Sequence, residues 1–164
     1  EEDRRRDQRL AEENLQQMRR EAELNEISRL MTALETRLDD VLSRDIALAE
    51  TSFFPLYEAS LLNYLNITAR DFDFHTARKT GREIRARDFS PLIFMRLGEM
   101  LHEINLYLLE YNDLRGNSRM LRHLQSKYLA AARSMYLLGF IDREDVSLLL
   151  SDDDLHEEPW GPLF

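Results

Sequence analysis

The first fifty residues, Glu1 to Glu50, contain neither glycine nor proline. Those two residue types are what most often end helices, so an uninterrupted stretch of this length is free to run as a single long helix. The whole 164-residue chain holds only 5 Gly and 4 Pro, with many Leu, Glu, Arg and Ala. A β-rich fold needs frequent turns and is poorly served by that composition. The expected class is all-α: a long N-terminal coiled-coil helix, a compact bundle of about four or five helices, and an acidic C-terminal tail. The expected divisions are residues 1–50, 51–150 and 151–164.

Within the first segment, Leu24, Ile27, Met31, Leu34, Leu38 and Val41 recur at alternating spacings of three and four. This is a heptad seam, and Glu26, Arg29, Glu35, Arg37, Asp39 and Asp40 flank it. The seam is the expected oligomer interface, for a second copy or for another helical protein. The competing reading is an amphipathic helix lying on its own domain. Upstream, Leu10, Ala11, Leu15, Met18 and Ala22 continue an apolar stripe in a different register, as after a stutter. Leu42, Ile46 and Ala49 carry a shifted stripe towards the next segment.

Beyond Pro55, the apolar pattern of Leu56 to Ile67 predicts a short buried helix. A basic helix follows over Asp73 to Arg87, weakened by Gly81. Ser90-Pro91 is a helix start, with a cap residue followed by proline in the first turn. That central helix is expected to reach Leu114, and Leu92, Phe94 and Leu109 widen its apolar surface beyond one face. Ser118 caps a further helix ending at Gly139, and Asp142 caps a short last one through Leu150.

Charge and composition exclude several functions. A net charge of −9 opposes broad binding to nucleic acid or anionic lipid. With no cysteine there are no disulfides, thiolate metal sites or cysteine nucleophiles. No apolar run spans a membrane, and the charged start is no signal peptide. A start other than Met leads to the expectation of a larger polypeptide, cytoplasmic or held at a membrane by a segment outside this chain.

Three features could carry chemistry. Glu99, His102 and Glu103 share one helix, but di-iron bundles need two Glu-x-x-His pairs and this chain has one. Arg78, Lys79, Arg82 and Arg85 could hold a small anion on one helical surface, although nearby Asp71, Asp73, Glu83 and Asp88 also suit a salt-bridged face. Trp160, Leu163 and Phe164 end an acidic tail and suit docking into a groove, on a partner or on the chain's own bundle. No glycine-flanked serine elbow, phosphate loop, HExxH or dinucleotide fingerprint occurs.

Phe53-Phe54 after the heptads, together with Gly81-Arg82-Glu83, resembles the bacterial family of phage abortive-infection proteins, in which a coiled coil follows membrane segments. The alternative reading is a sensor or effector domain, for example one related to bacterial phage defence, that binds a small anion at the basic patch and signals through the coiled coil. The residues themselves point first to a non-enzymatic interaction or oligomerisation module, a scaffold or adaptor needing no cofactor.

Overall fold

A computed structural model describes residues 1–48, 57–86, 91–115 and 119–150. Within them the chain runs α1 (Glu2–Ser43), β1 (Asp45–Leu48), β2 (Tyr57–Ser60), α2 (Leu61–Asp71), α3 (Phe74–Ala86), α4 (Pro91–Arg115), α5 (Arg119–Leu138) and a 3-10 turn (Glu144–Val146). The expected architecture, a long first helix followed by a compact helical bundle, is the one the chain adopts.

The helix expected to reach Glu50 instead stops at Ser43, and an antiparallel pair of short strands follows. Arg44 turns extended at φ −67° and ψ 139°, and Asp45 to Leu48 pair with Ser60 to Tyr57. Burial now alternates, with Ile46 and Leu48 inward and Asp45 and Ala47 outward. That period of two fits a strand with one buried face. The next helix accordingly begins at Leu61 rather than Leu56, capped by Ser60, whose side chain accepts from the Asn63 amide at 3.2 Å.

Residues 27–42 of α1 form one wall of the core, so the core crosses the boundary drawn at residue 50. Met31, Leu34, Leu38, Val41 and Leu42 are buried together with Leu97, Leu101, Ile104 and Leu108 of α4. The C-terminal turns of α4 lie beside residues 23–30 of α1, so the two helices run antiparallel. Helices α2 and α3 pack on α5.

α5 ends in a Schellman motif. Gly139 takes φ +80°, its amide bonds to Tyr136 O at 3.0 Å, and the Phe140 amide reaches Met135 O at 3.0 Å. Gly81 on α3 faces this end of α5. A Cβ at Gly81 would fall on the carbonyl oxygen of Leu138. This glycine therefore permits close helix packing, where the sequence had indicated only a weakened helix.

α4 is less enclosed than its apolar content suggests. Phe94 is fully buried, but Leu92 and Leu109 are 77% and 40% exposed. Its Leu-rich outer face is bare among the described residues.

Candidate functional site

The N-terminal half of α1 has no covering element among the described residues. Every residue from Glu1 to Glu23 is exposed, and burial begins at Leu24 and Ile27. At a rise of 1.5 Å per residue this arm is about 33 Å long. Most helical stability in proteins comes from tertiary packing of an apolar face. Here Glu2 and Asp3 oppose the positive end of the helix dipole, and Gln17 donates to Glu21 one turn on, at 3.1 Å. Each such device contributes only a few tenths of a kcal/mol.

The arm carries Leu10, Leu15 and Met18 at 49%, 50% and 67% exposure. Ala11, Leu15, Met18 and Ala22 fall at heptad spacing. Its tip mixes both signs, with Arg4, Arg5, Arg6 and Arg9 interspersed with Glu1, Glu2, Asp3 and Asp7. Its root is acidic: Glu23, Glu26, Glu110 and Asp113 border an open groove floored by Ile27, Leu30 and Leu114. The arm thus joins an arginine-bearing, charge-balanced end to a negative, partly apolar base.

The heptad seam expected to form the oligomer interface sits elsewhere. Ile27, Met31, Leu34, Leu38 and Val41 are at most 8% exposed and pack into this chain's own core, with Leu24 partly buried at the edge. The helix lying on its own domain is the arrangement seen. An intramolecular α4 satisfies the same apolar periodicity that a second coiled-coil strand would satisfy.

α5 latches onto this part of α1. Lys127 Nζ contacts Glu35 Oε1 at 2.9 Å and Asp39 Oδ2 at 2.7 Å. The Tyr128 hydroxyl donates to Asp39 Oδ1 at 2.9 Å. Burial lowers the Lys127 pKa, but the two carboxylates outweigh it and hold the ammonium above its usual range. Burial also pushes the Tyr128 phenol up, and Asp39 adds to the shift; burial raises Tyr64 in the same direction. Below about pH 10 both folded and unfolded chains keep the phenolic protons. Above it the unfolded chain releases them while the folded chain holds them, so stability falls as pH rises. Denaturant titrations between pH 9 and 11 should show this loss, with a shallower slope in Tyr128→Phe; equal slopes would remove Tyr128 from the account.

Two of the four basic residues, Arg78 and Arg85, are engaged at the end of α5. The Arg78 guanidinium lies 4.8 Å and 5.4 Å from the ring centres of Phe74 and Tyr136. Arg85 stacks 4.7 Å from the centre of Phe140, and it donates to the Gly139 carbonyl. Two cations thus sit at the electronegative C-terminal end of α5. Arg82 is exposed and Lys79 half-buried. The signal for this arrangement was the Tyr136–Gly139–Phe140 sequence, an aromatic-flanked helix stop facing a basic helix.

His102 Nδ1 lies 3.2 Å from the Asp145 carbonyl oxygen and 3.4 Å from its carboxylate, while Glu103 accepts from the Tyr107 hydroxyl at 3.2 Å. Among the described residues no three His, Asp or Glu side chains gather in a metal-binding group. Trp160, Leu163 and Phe164 lie outside the described residues. No described helix is long and apolar enough to cross a membrane. No protein-family model, curated protein or solved structure matches this chain.

Proposed function

We propose that the chain is a non-catalytic assembly module whose N-terminal arm, residues 2–22, pairs with the same arm of a second copy. The carrying observation is the arm itself, a stretch of continuous helix whose apolar stripe is exposed and which, among the described residues, meets only the end of α4 near its root. An in-register parallel pair would set Arg4, Arg5 and Arg6 against themselves, which like-charge repulsion disfavours. An antiparallel pair places Leu15 opposite Met18 of the partner copy and Ala11 opposite Ala22. The same overlap brings Arg5, Arg6 and Arg9 over the acidic groove at the partner's root. Absence of cysteine suits a reducing, cytoplasmic setting. The anion-sensing alternative has less support, because Arg78 and Arg85 are engaged at the end of α5.

Leu15→Glu/Met18→Glu in the full chain should lower the solution mass measured by light scattering while leaving thermal unfolding of the core near its original midpoint. Each lost apolar anchor is worth roughly 1.5–3 kcal/mol when buried, so association should weaken at least about a hundredfold. An unchanged mass would overturn the arm as an assembly element.

A further inference from the structure

The outer face of α4 presents a second stripe, separate from the arm. Leu92, Met95, Glu99, His102, Leu106 and Leu109 follow one another at spacings of three, four, three, four and three. Met95 and Leu106 are 53% and 45% exposed, alongside the exposed Leu92 and Leu109. The stripe runs about 26 Å along one helix. One flank carries Arg96, Glu103 and Glu110; on the other lies the 3-10 turn, whose Asp145 faces His102.

This order of residues reads the same in both directions in chemical terms. When two such helices lie antiparallel about a two-fold axis between Glu99 and His102, Leu92 faces Leu109 and Met95 faces Leu106. At the centre Glu99 faces His102, an acceptor opposite a potential donor, and the pair occurs twice. On the open flank Arg96 comes within about one turn of Glu103 of the other copy. A two-fold interface requires this reciprocity, in which residue i meets j and j meets i. An unrelated partner helix would impose no such palindrome.

We infer that α4 is a self-association surface, closing an antiparallel two-fold pair of this chain through Leu92, Met95, Glu99, His102, Leu106 and Leu109. It is independent of the arm, so either surface can fail without the other. Its central polar pair fixes register, because a slip by one heptad would oppose His102 with an apolar side chain.

The chain has no cysteine, so introduced thiols report without background. Full-length Met95→Cys and Leu106→Cys chains, mixed under mild oxidation, should form disulfide-linked heterodimers at least tenfold faster than either chain alone. In the single variants the like positions are offset by eleven residues, or about 16 Å along the axis, beyond disulfide reach. The heterodimer should persist when Leu15→Glu/Met18→Glu is added to both chains, which separates this surface from the arm. In a second measurement, Met95→Glu and Leu106→Lys should each lower the mass, and the two together in one chain should restore it. Absence of cross-links, or equal rates in the mixture and the single variants, would overturn the inference. So would cross-linking that appears only after residues 151–164 are deleted, since the stripe would then belong to the tail.

Discussion

Gly81→Val is expected to leave the chain unable to reach its native fold, and Gly81→Ala to cost about 3 kcal/mol or more. Any Cβ at this site meets the Leu138 carbonyl, and that obstacle is backbone. The last turn of α5 is itself pinned by the bonds of Gly139 and Phe140 to Tyr136 and Met135, so it cannot swing aside as a side chain could. Overpacking of this kind typically costs roughly 1–3 kcal/mol, and more when backbone must shift. The sign is diagnostic. In an exposed helix, glycine to alanine stabilises by about 1 kcal/mol. Urea unfolding followed by circular dichroism decides the matter, and an alanine variant at least as stable as the parent would refute the α3–α5 approach.

Leu38→Ala should destabilise the chain by about 2–5 kcal/mol, the usual range for emptying a fully buried leucine site. Leu38 is 0% exposed within the core that α1 shares with α4. Since those neighbours belong to the same chain, the decrement should be equal at low and high protein concentration. A seam between chains would behave differently, because dilution below its dissociation point would erase the effect. Denaturation midpoints of parent and variant across a hundredfold dilution distinguish the two. A decrement that vanishes on dilution would return Leu24 to Val41 to an intermolecular role.

Much of the fold was legible in the residues. Absence of Gly and Pro before residue 50 marked α1, Ser90-Pro91 marked the start of α4, and Gly139 marked the end of α5. The strand pair was not legible, because Ile46, Leu48 and Tyr57 fit a helical stripe as readily as an alternating one over so few positions. The seam shows a deeper ambiguity. Heptad spacing states that Met31, Leu34 and Leu38 need an apolar neighbour, but not whether it comes from the same chain. The surroundings of the basic cluster were hidden for a related reason. Spacing placed Arg78 and Arg85 on one face, while their destination depended on which helix end the fold would bring against them. Leu92 and Leu109 widen the apolar stripe of α4, and only the packing shows that they point outward.

Arm and core wall are one unbroken helix, from Glu2 to Ser43. No hinge therefore separates what is gripped from what is stabilised. Clamping the arm suppresses fraying that would otherwise travel inward towards Ile27, and the energy of that grip is felt in the core as added resistance to unfolding. Amide hydrogens near Leu38 and Val41, two turns or more beyond the groove residue Leu30, should become slower to exchange when the arm is occupied. The helix acts as a lever whose short end is built into the bundle.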